Sequence, residues 1–173
     1  MFFQPASVQQ VAALPFVPLG DRFAVLLVTS RKGGRWLLPK GWPLKQSVPL
    51  AEAARGEAAE EAGVTGDLHE APLGSYSYAK AMPEGYRVRC HVFVFPLLVR
   101  QHRLDWPERG QRSLRWSGLA EAAQLVEDRG LAKLLGDLAR AEGAPLHAAL
   151  RALRADEAAG VAGAGTAAIS PAS

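Results

Sequence analysis

Glu57, Glu60 and Glu61 stand at i, i+3 and i+4 near the end of the segment Gly41 to Gly63, GWPLKQSVPLAEAARGEAAEEAG. On a helix these positions are neighbours. Three carboxylates there repel one another unless a cation neutralises them. A hard divalent ion such as Mg²⁺ takes oxygen ligands and keeps open positions for phosphate. The competing reading is a solvated acidic face, the usual fate of charged side chains. The helical wheel separates the two. At about 100° per residue, Glu57 and Glu61 project with Leu50 and Ala54, and Glu60 with Ala53. Glu52, Arg55 and Ala59 fall on the far side. The acids therefore continue an apolar stripe instead of opposing it. Carboxylates at the edge of a core-facing stripe imply a cleft, where charge needs a partner or a metal.

The flanking residues define the element that carries the acids. Pro49 suits a helix start, where a missing N–H costs little, and Gly63 suits a left-handed C-cap. The helix is expected over Pro49 to Ala62. Before it, Arg35 to Leu38 reads as a short strand ended by Pro39, and Lys40-Gly41-Trp42-Pro43 reads as a tight loop. Gly41 lets the backbone approach a ligand closely and leaves its carbonyl available to a metal.

This order of strand, glycine loop and acidic helix resembles the Nudix hydrolases. Their box runs Gly, five residues, Glu, seven residues, then Arg-Glu-apolar-x-Glu-Glu-x-Gly-apolar. Gly41 matches its first glycine, and Glu57, Ala58, Glu60, Glu61, Gly63 and Val64 match its second half. The phrases LLVTSRKGGRWLLPKGWP and LDWPERGQRSLRW resemble the branch related to diphosphoinositol and dinucleoside polyphosphate hydrolases. The resemblance runs from about Gln9 to Leu138. It implies an α/β/α sandwich around a mixed sheet and a Mg²⁺ cofactor, with Mn²⁺ as the alternative ion. It further implies that Glu57, Glu60 and Glu61 hold the metal, joined by the Gly41 carbonyl, and carry the catalysis. A homodimer is compatible with it. The family also recruits an acid from outside the box, for which Glu84, Asp105, Glu108 and Glu127 are available.

Three departures from the box stand out. Gly56 occupies the position of the box arginine, which in the family pairs with a box glutamate and orients it. The nearest arginine, Arg55, points about 100° away on the wheel, and Gly56 costs about 1 kcal/mol relative to Ala inside a helix. One extra residue lies between Gly41 and Glu52, and Gln46-Ser47-Val48 supplies no acid where the box has its first glutamate. On this reading, installing arginine at position 56 raises activity if the acids are poorly oriented.

The remaining elements follow from periodicity and turn residues. Strands are expected at Gln9–Phe16, Phe23–Ser30, Gly74–Lys80, Tyr86–Val99 and Leu114–Trp116. Helices are expected from Glu121 to Val126, through Leu131, Leu134, Leu135 and Leu138, and over Pro145 to Ala155. Strands and flanking helices around a mixed sheet argue an α/β/α sandwich. The chain is expected to form one domain over 1–155, followed by a disordered Ala/Gly-rich tail over 156–173.

Composition sets outer limits. Apolar residues make up 49% and charged residues 21% of the 173 residues, ordinary for a globular protein. The single cysteine, Cys90, forbids an intrachain disulfide and points to a reducing cytoplasm. The first ten residues lack the basic and apolar regions of a signal peptide, and Val92 to Val99 is too short to span a bilayer. The net charge of +3 comes without any run of five or six basic residues, which argues against nucleic acid. The four histidines show no ligand spacing, so a zinc site is not expected.

Phosphate contacts are expected from Ser30, Arg31, Arg35, Lys40, Arg89 and Arg112, each with a solvated surface or a local ion pair as the alternative. Tyr76, Tyr78 and Trp42 could stack on a base, although aromatics on strands more often pack in a core. The first strand, Gln9 to Ala13, carries no basic residue. This disfavours an inositol polyphosphate and favours a dinucleoside polyphosphate or another nucleoside diphosphate derivative. Two readings remain: a Mg²⁺-dependent pyrophosphohydrolase acting on a small phosphoanhydride, and a Nudix-fold nucleotide-binding or regulatory protein.

Overall fold

The structure, a computed structural model, describes residues 7–43 and 45–164. Eight strands and four helices follow in the order β1 (Ser7–Leu19), β2 (Arg22–Thr29), β3 (Trp36–Leu37), β4 (Lys40–Gly41), α1 (Leu50–Ala62), β5 (Val64–Leu68), β6 (Gly74–Ala81), β7 (Arg87–His102), β8 (Leu114–Gly118), α2 (Leu119–Leu125), α3 (Arg129–Arg140) and α4 (Ala144–Ala164).

The sheet is mixed. β1 runs parallel to β7 in continuous register from Ser7↔Arg89 to Phe16↔Leu98. It runs antiparallel to β2 at one end and to β4 at the other. β5 and β6 pair with β7, and β8 with β2, all antiparallel. Val11 to Phe16 are all buried, as expected of a central strand covered on both faces. Alternate residues feed two cores. Val11 and Ala13 join Leu26, Val28, Phe95 and Leu97 beneath α1, whose buried contributions are the small Ala51, Ala53, Ala54, Ala58 and Ala62. Ala12, Leu14 and Phe16 join Val92, Val94, Leu131, Leu135, Leu138 and Leu146 beneath α3 and α4. The helices contribute large leucines on one side and α1 contributes alanines on the other, so α1 lies close to the sheet. Its acids consequently sit near strand backbone. The α/β/α sandwich expected from the sequence is the observed architecture.

Three local features depart from the sequence reading. Lys40–Gly41 is not a free loop but a short strand opposite Val11 and Ala12, and the N–H of Ala13 donates to the Pro39 carbonyl at 3.0 Å. Pro39 lacks a donor but not an acceptor, so it does not stop pairing. β5 was not anticipated: only Val64 and Leu68 are buried in it. A register shift between Thr65 and Gly66 also breaks its alternation, and a Cβ at Gly66 would collide with the Leu98 carbonyl. Finally, α4 continues to Ala164, past the point where the tail is expected to become disordered. Its Glu157 accepts from Arg100 at 3.0 Å. Residues 165–173 of the expected tail lie outside the described residues.

Candidate active site

α1 delivers its acids as the wheel implies, with one refinement. Glu61 is buried, Glu57 is half-buried, and Glu60 is exposed. Glu57 lies directly against Gly41: a Cβ there would occupy the space of the Glu57 carboxylate. Glycine at 41 is therefore what lets β4 and the acidic ridge meet. Gly63 ends the helix with φ 67°, its N–H returning to the carbonyls of Ala58 and Ala59. A Cβ at 63 would strike the Trp106 ring.

Trp106 belongs to the loop from Arg103 to Ser113, which straps the end of α1. The N–H of Arg103 donates to the Gly63 carbonyl at 2.8 Å, and that of Glu108 to the Glu60 carbonyl at 3.2 Å. The strap carries Arg112 into the site. Its Nη2 donates to Glu61 Oε1 at 2.7 Å, its Nε to Glu108 Oε2 at 2.6 Å and its Nη1 to the Thr29 carbonyl at 2.9 Å. Only 8% of the Arg112 side chain is exposed. Glu108 Oε1 faces Arg31 at 3.4 Å on the rim. Glu61 Oε2 receives the backbone N–H of Lys40 at 3.3 Å.

The electrostatics follow from this crowding. Burial raises the Glu61 carboxyl to about 7 from its usual 4.5; Glu57 adds to the rise, while Arg112 and the Lys40 N–H oppose it. Glu57 is raised as well, first by burial and then by Glu60 and Glu108. Lys40 is lowered, chiefly by burial and next by Lys80. A ridge whose carboxyls resist ionising is one that a cation would relieve.

The donors fit a hard divalent cation in kind: carboxylate oxygens, with the Gly41 backbone close enough to Glu57 to exclude any side chain. Among the described residues no three His, Cys, Asp or Glu side chains are already gathered as a ligand cage. Glu61 is turned to Arg112, and Glu60 faces outward.

The expected phosphate contacts divide. Lys40 lies between the acids and a neighbouring pocket: its Nζ donates to the Tyr78 hydroxyl at 2.8 Å and sits 4.6 Å from the Tyr78 ring centre. That hydroxyl donates to the buried Gln10 at 2.6 Å. The pocket, of about 420 Å³, is lined by Arg35, Trp36, Tyr76, Tyr78 and Arg129 among others. Arg31 remains at the rim. Ser30 is occupied in its own turn, donating to the Lys32 carbonyl and accepting from the Arg35 N–H. Arg89 is exposed between Ser7 and Ala79, on the same face as Phe93 but nearer the start of β7. Arg112 is spent on protein acceptors. Trp42 stacks under Lys80 at 4.8 Å, half-exposed. Of the four outside acids, Glu108 alone contacts this network; Glu127 lines the pocket, and Asp105 pairs with Arg109 on the surface.

Residues 8–138 match the NUDIX domain family. The chain belongs to that family. Among its relatives, Nudix hydrolase 21 (chloroplastic) of Arabidopsis thaliana is 38% identical over 118 residues, covering 67% of this chain and 57% of that protein. Nudix hydrolase 17 (mitochondrial) of the same plant is 32% identical over 130 residues, covering 75% and 68%. The chain spans about half to three-fifths of the length of several such relatives, 57%, 48% and 60% for three of them. Among solved structures, a C. elegans Ap4A hydrolase superposes with TM-score 0.56 at 17% identity, over 78% of this chain and 98% of that one. The NUDIX domain of Shewanella oneidensis NrtR, complexed with ADP ribose, gives TM-score 0.56 at 20% identity, over 78% and 87%. At those identities the likeness establishes the fold. Among the described residues no helix is long and apolar enough to cross a membrane.

Proposed function

We propose that the chain is a divalent-cation-dependent pyrophosphohydrolase acting on a nucleoside diphosphate derivative. The observation that carries this reading is the half-buried Glu57 carboxylate seated against Gly41, one turn before buried Glu61, with both carboxyls pushed toward neutrality. Glu57, Glu61 and the Gly41 carbonyl are the residues that would hold Mg²⁺, or Mn²⁺ in its place. Bound there, such an ion supplies charge neutralisation at the phosphoanhydride and an acidified water. Glu60, exposed beside them, is a further ligand or the base that accepts the water's proton. Arg31 at the rim beside Glu108, Arg35 on the pocket wall and Lys40 between the acids and the pocket are the candidate phosphate contacts. Arg89 is a more distant phosphate contact.

The pocket supports the nucleoside part of the reading. Trp36, Tyr76 and Tyr78 present aromatic surface beside Arg35 and Arg129, and a base with its sugar needs that mixture. A diphosphoinositol would instead need clustered cations with little aromatic surface. The plant relatives named as Nudix hydrolases support hydrolysis as the reaction.

The test is a substrate panel of dinucleoside polyphosphates, nucleotide sugars, nucleoside triphosphates and diphosphoinositols with Mg²⁺. Turnover is expected for adenosine-bearing diphosphates, and Glu61→Gln should abolish it. Nucleotide binding without turnover under any divalent ion would favour the regulatory alternative. That alternative draws on one observation: Glu61 already has a cationic partner in Arg112.

A further inference from the structure

We propose that Arg112 is the positioning residue for Glu61, in the place of the arginine that α1 lacks at Gly56. The inference rests on the hydrolase reading above. Three groups of one guanidinium are fixed by three acceptors from different parts of the chain. Nη1 is held by the Thr29 carbonyl on β2, Nε by Glu108 on the strap, and Nη2 reaches Glu61 on α1, 51 residues away in sequence. Glu108 is itself fixed by its backbone N–H on the Glu60 carbonyl and by Arg31. The guanidinium therefore cannot turn away from Glu61 without losing two other buried bonds. A planar fork suits this task, and a lysine ammonium does not.

The local candidate does something else. Arg55 faces Glu52 at 3.3 Å, with 42% of its side chain exposed, on the far side of the helix from the site. An arginine at 56 would lie one turn before Glu60, not Glu61. Position 56 is open, since a Cβ there meets nothing within 4 Å, yet the acid that is held is the one the strap reaches. A phosphate contact at Arg112 is disfavoured by the same geometry, because three of its five N–H groups already serve protein acceptors and the side chain is enclosed.

The experiment compares Arg112→Lys with wild type by Mn²⁺ titration of the metal-free protein, followed by electron paramagnetic resonance, and by kcat and KM at saturating Mg²⁺. Mn²⁺ affinity is expected to fall about 10–100-fold, as when a partner that orients a metal ligand is lost. KM should hold while kcat falls. In a Glu61→Gln background the same substitution should add no further loss. Arg55→Ala should match wild type throughout. Unchanged Mn²⁺ affinity, full additivity with Glu61→Gln, or a rise confined to KM would overturn the proposal. Should Arg112→Lys unfold by circular dichroism, Glu108→Gln takes its place: weaker Mn²⁺ binding, non-additive with Glu61→Gln, supports the role, and wild-type binding overturns it. A wild-type protein that neither binds Mn²⁺ nor turns over would sink the hydrolase reading itself. An active wild type with an indifferent Arg112 would sink this inference alone.

Discussion

The acidic ridge of α1 and the strap from Arg103 to Ser113 meet at one carboxylate, Glu61, yet they are built by opposite rules. The ridge is local. Its three acids, its alanine face and its Gly63 cap lie within one helical segment, and their relative placement follows from 3.6 residues per turn. The strap has no regular repeat. Its position depends on Trp106 covering Gly63, on backbone bonds from Arg103 and Glu108 to the end of α1, and on Arg112 reaching β2 and α1 together. A periodic element thus supplies the carboxylates, while the arginine that contacts one of them comes from an aperiodic segment.

The largest expected effect belongs to the ridge. Glu57→Gln and Glu61→Gln should each lower kcat by at least about 10²-fold, read by steady-state phosphate release. Equal activity would mean that the ridge takes no part in the reaction. Where the ridge meets the strap, Gly63→Ala combines a left-handed φ with a collision against Trp106. It should cost about 1–3 kcal/mol, a drop in Tm of several degrees for a chain of this size. Wild-type stability would mean that the strap is not anchored there.

A pH test isolates Glu61. Its folded-state carboxyl is raised to about 7 from 4.5, so the folded state binds that proton more tightly than the unfolded chain does. The associated stability is present below about 4.5 and is lost as pH rises through about 7. Without metal, the Tm difference between wild type and Glu61→Gln should therefore shift against wild type between pH 5 and pH 8. Added Mg²⁺ should stabilise wild type more at pH 8 than at pH 6, because binding needs the ionised carboxylate. A difference independent of pH would contradict the burial described for Glu61. The smallest effect is expected at the positions that local sequence favours. Gly56→Arg and Arg55→Ala should leave kcat within about twofold if, as proposed, Arg112 orients Glu61 from the strap; a large gain in Gly56→Arg would return the role to the helix.

This division also explains what could be read from the sequence. The sandwich, the helix of acids, the Gly41 approach and the long β7 strand were legible, because each rests on short-range spacing or on alternating faces. The Tyr76/Tyr78 alternation located β6, but not the Lys40–Tyr78–Gln10 chain that closes one wall of the pocket, since those residues come from three strands. β5 was hidden by its bulge at Gly66, and β4 by the assumption that Pro39 ends pairing. Arg112 was visible only as an arginine near others. Its charge suggested phosphate, while its burial between Glu61, Glu108 and Thr29 is set by contacts spanning from 4 to 83 residues along the chain. Glu108 stood among four candidate acids for the same reason: sequence distance carries no information about which loop folds back.

The most direct measurement is Mg²⁺-dependent release of product from a diadenosine polyphosphate by wild type and by Glu61→Gln, each confirmed folded. Turnover that rises with Mg²⁺ in wild type and vanishes in Glu61→Gln is the expected result. Hydrolysis that proceeds equally in both, or that ignores the ion, would contradict the account.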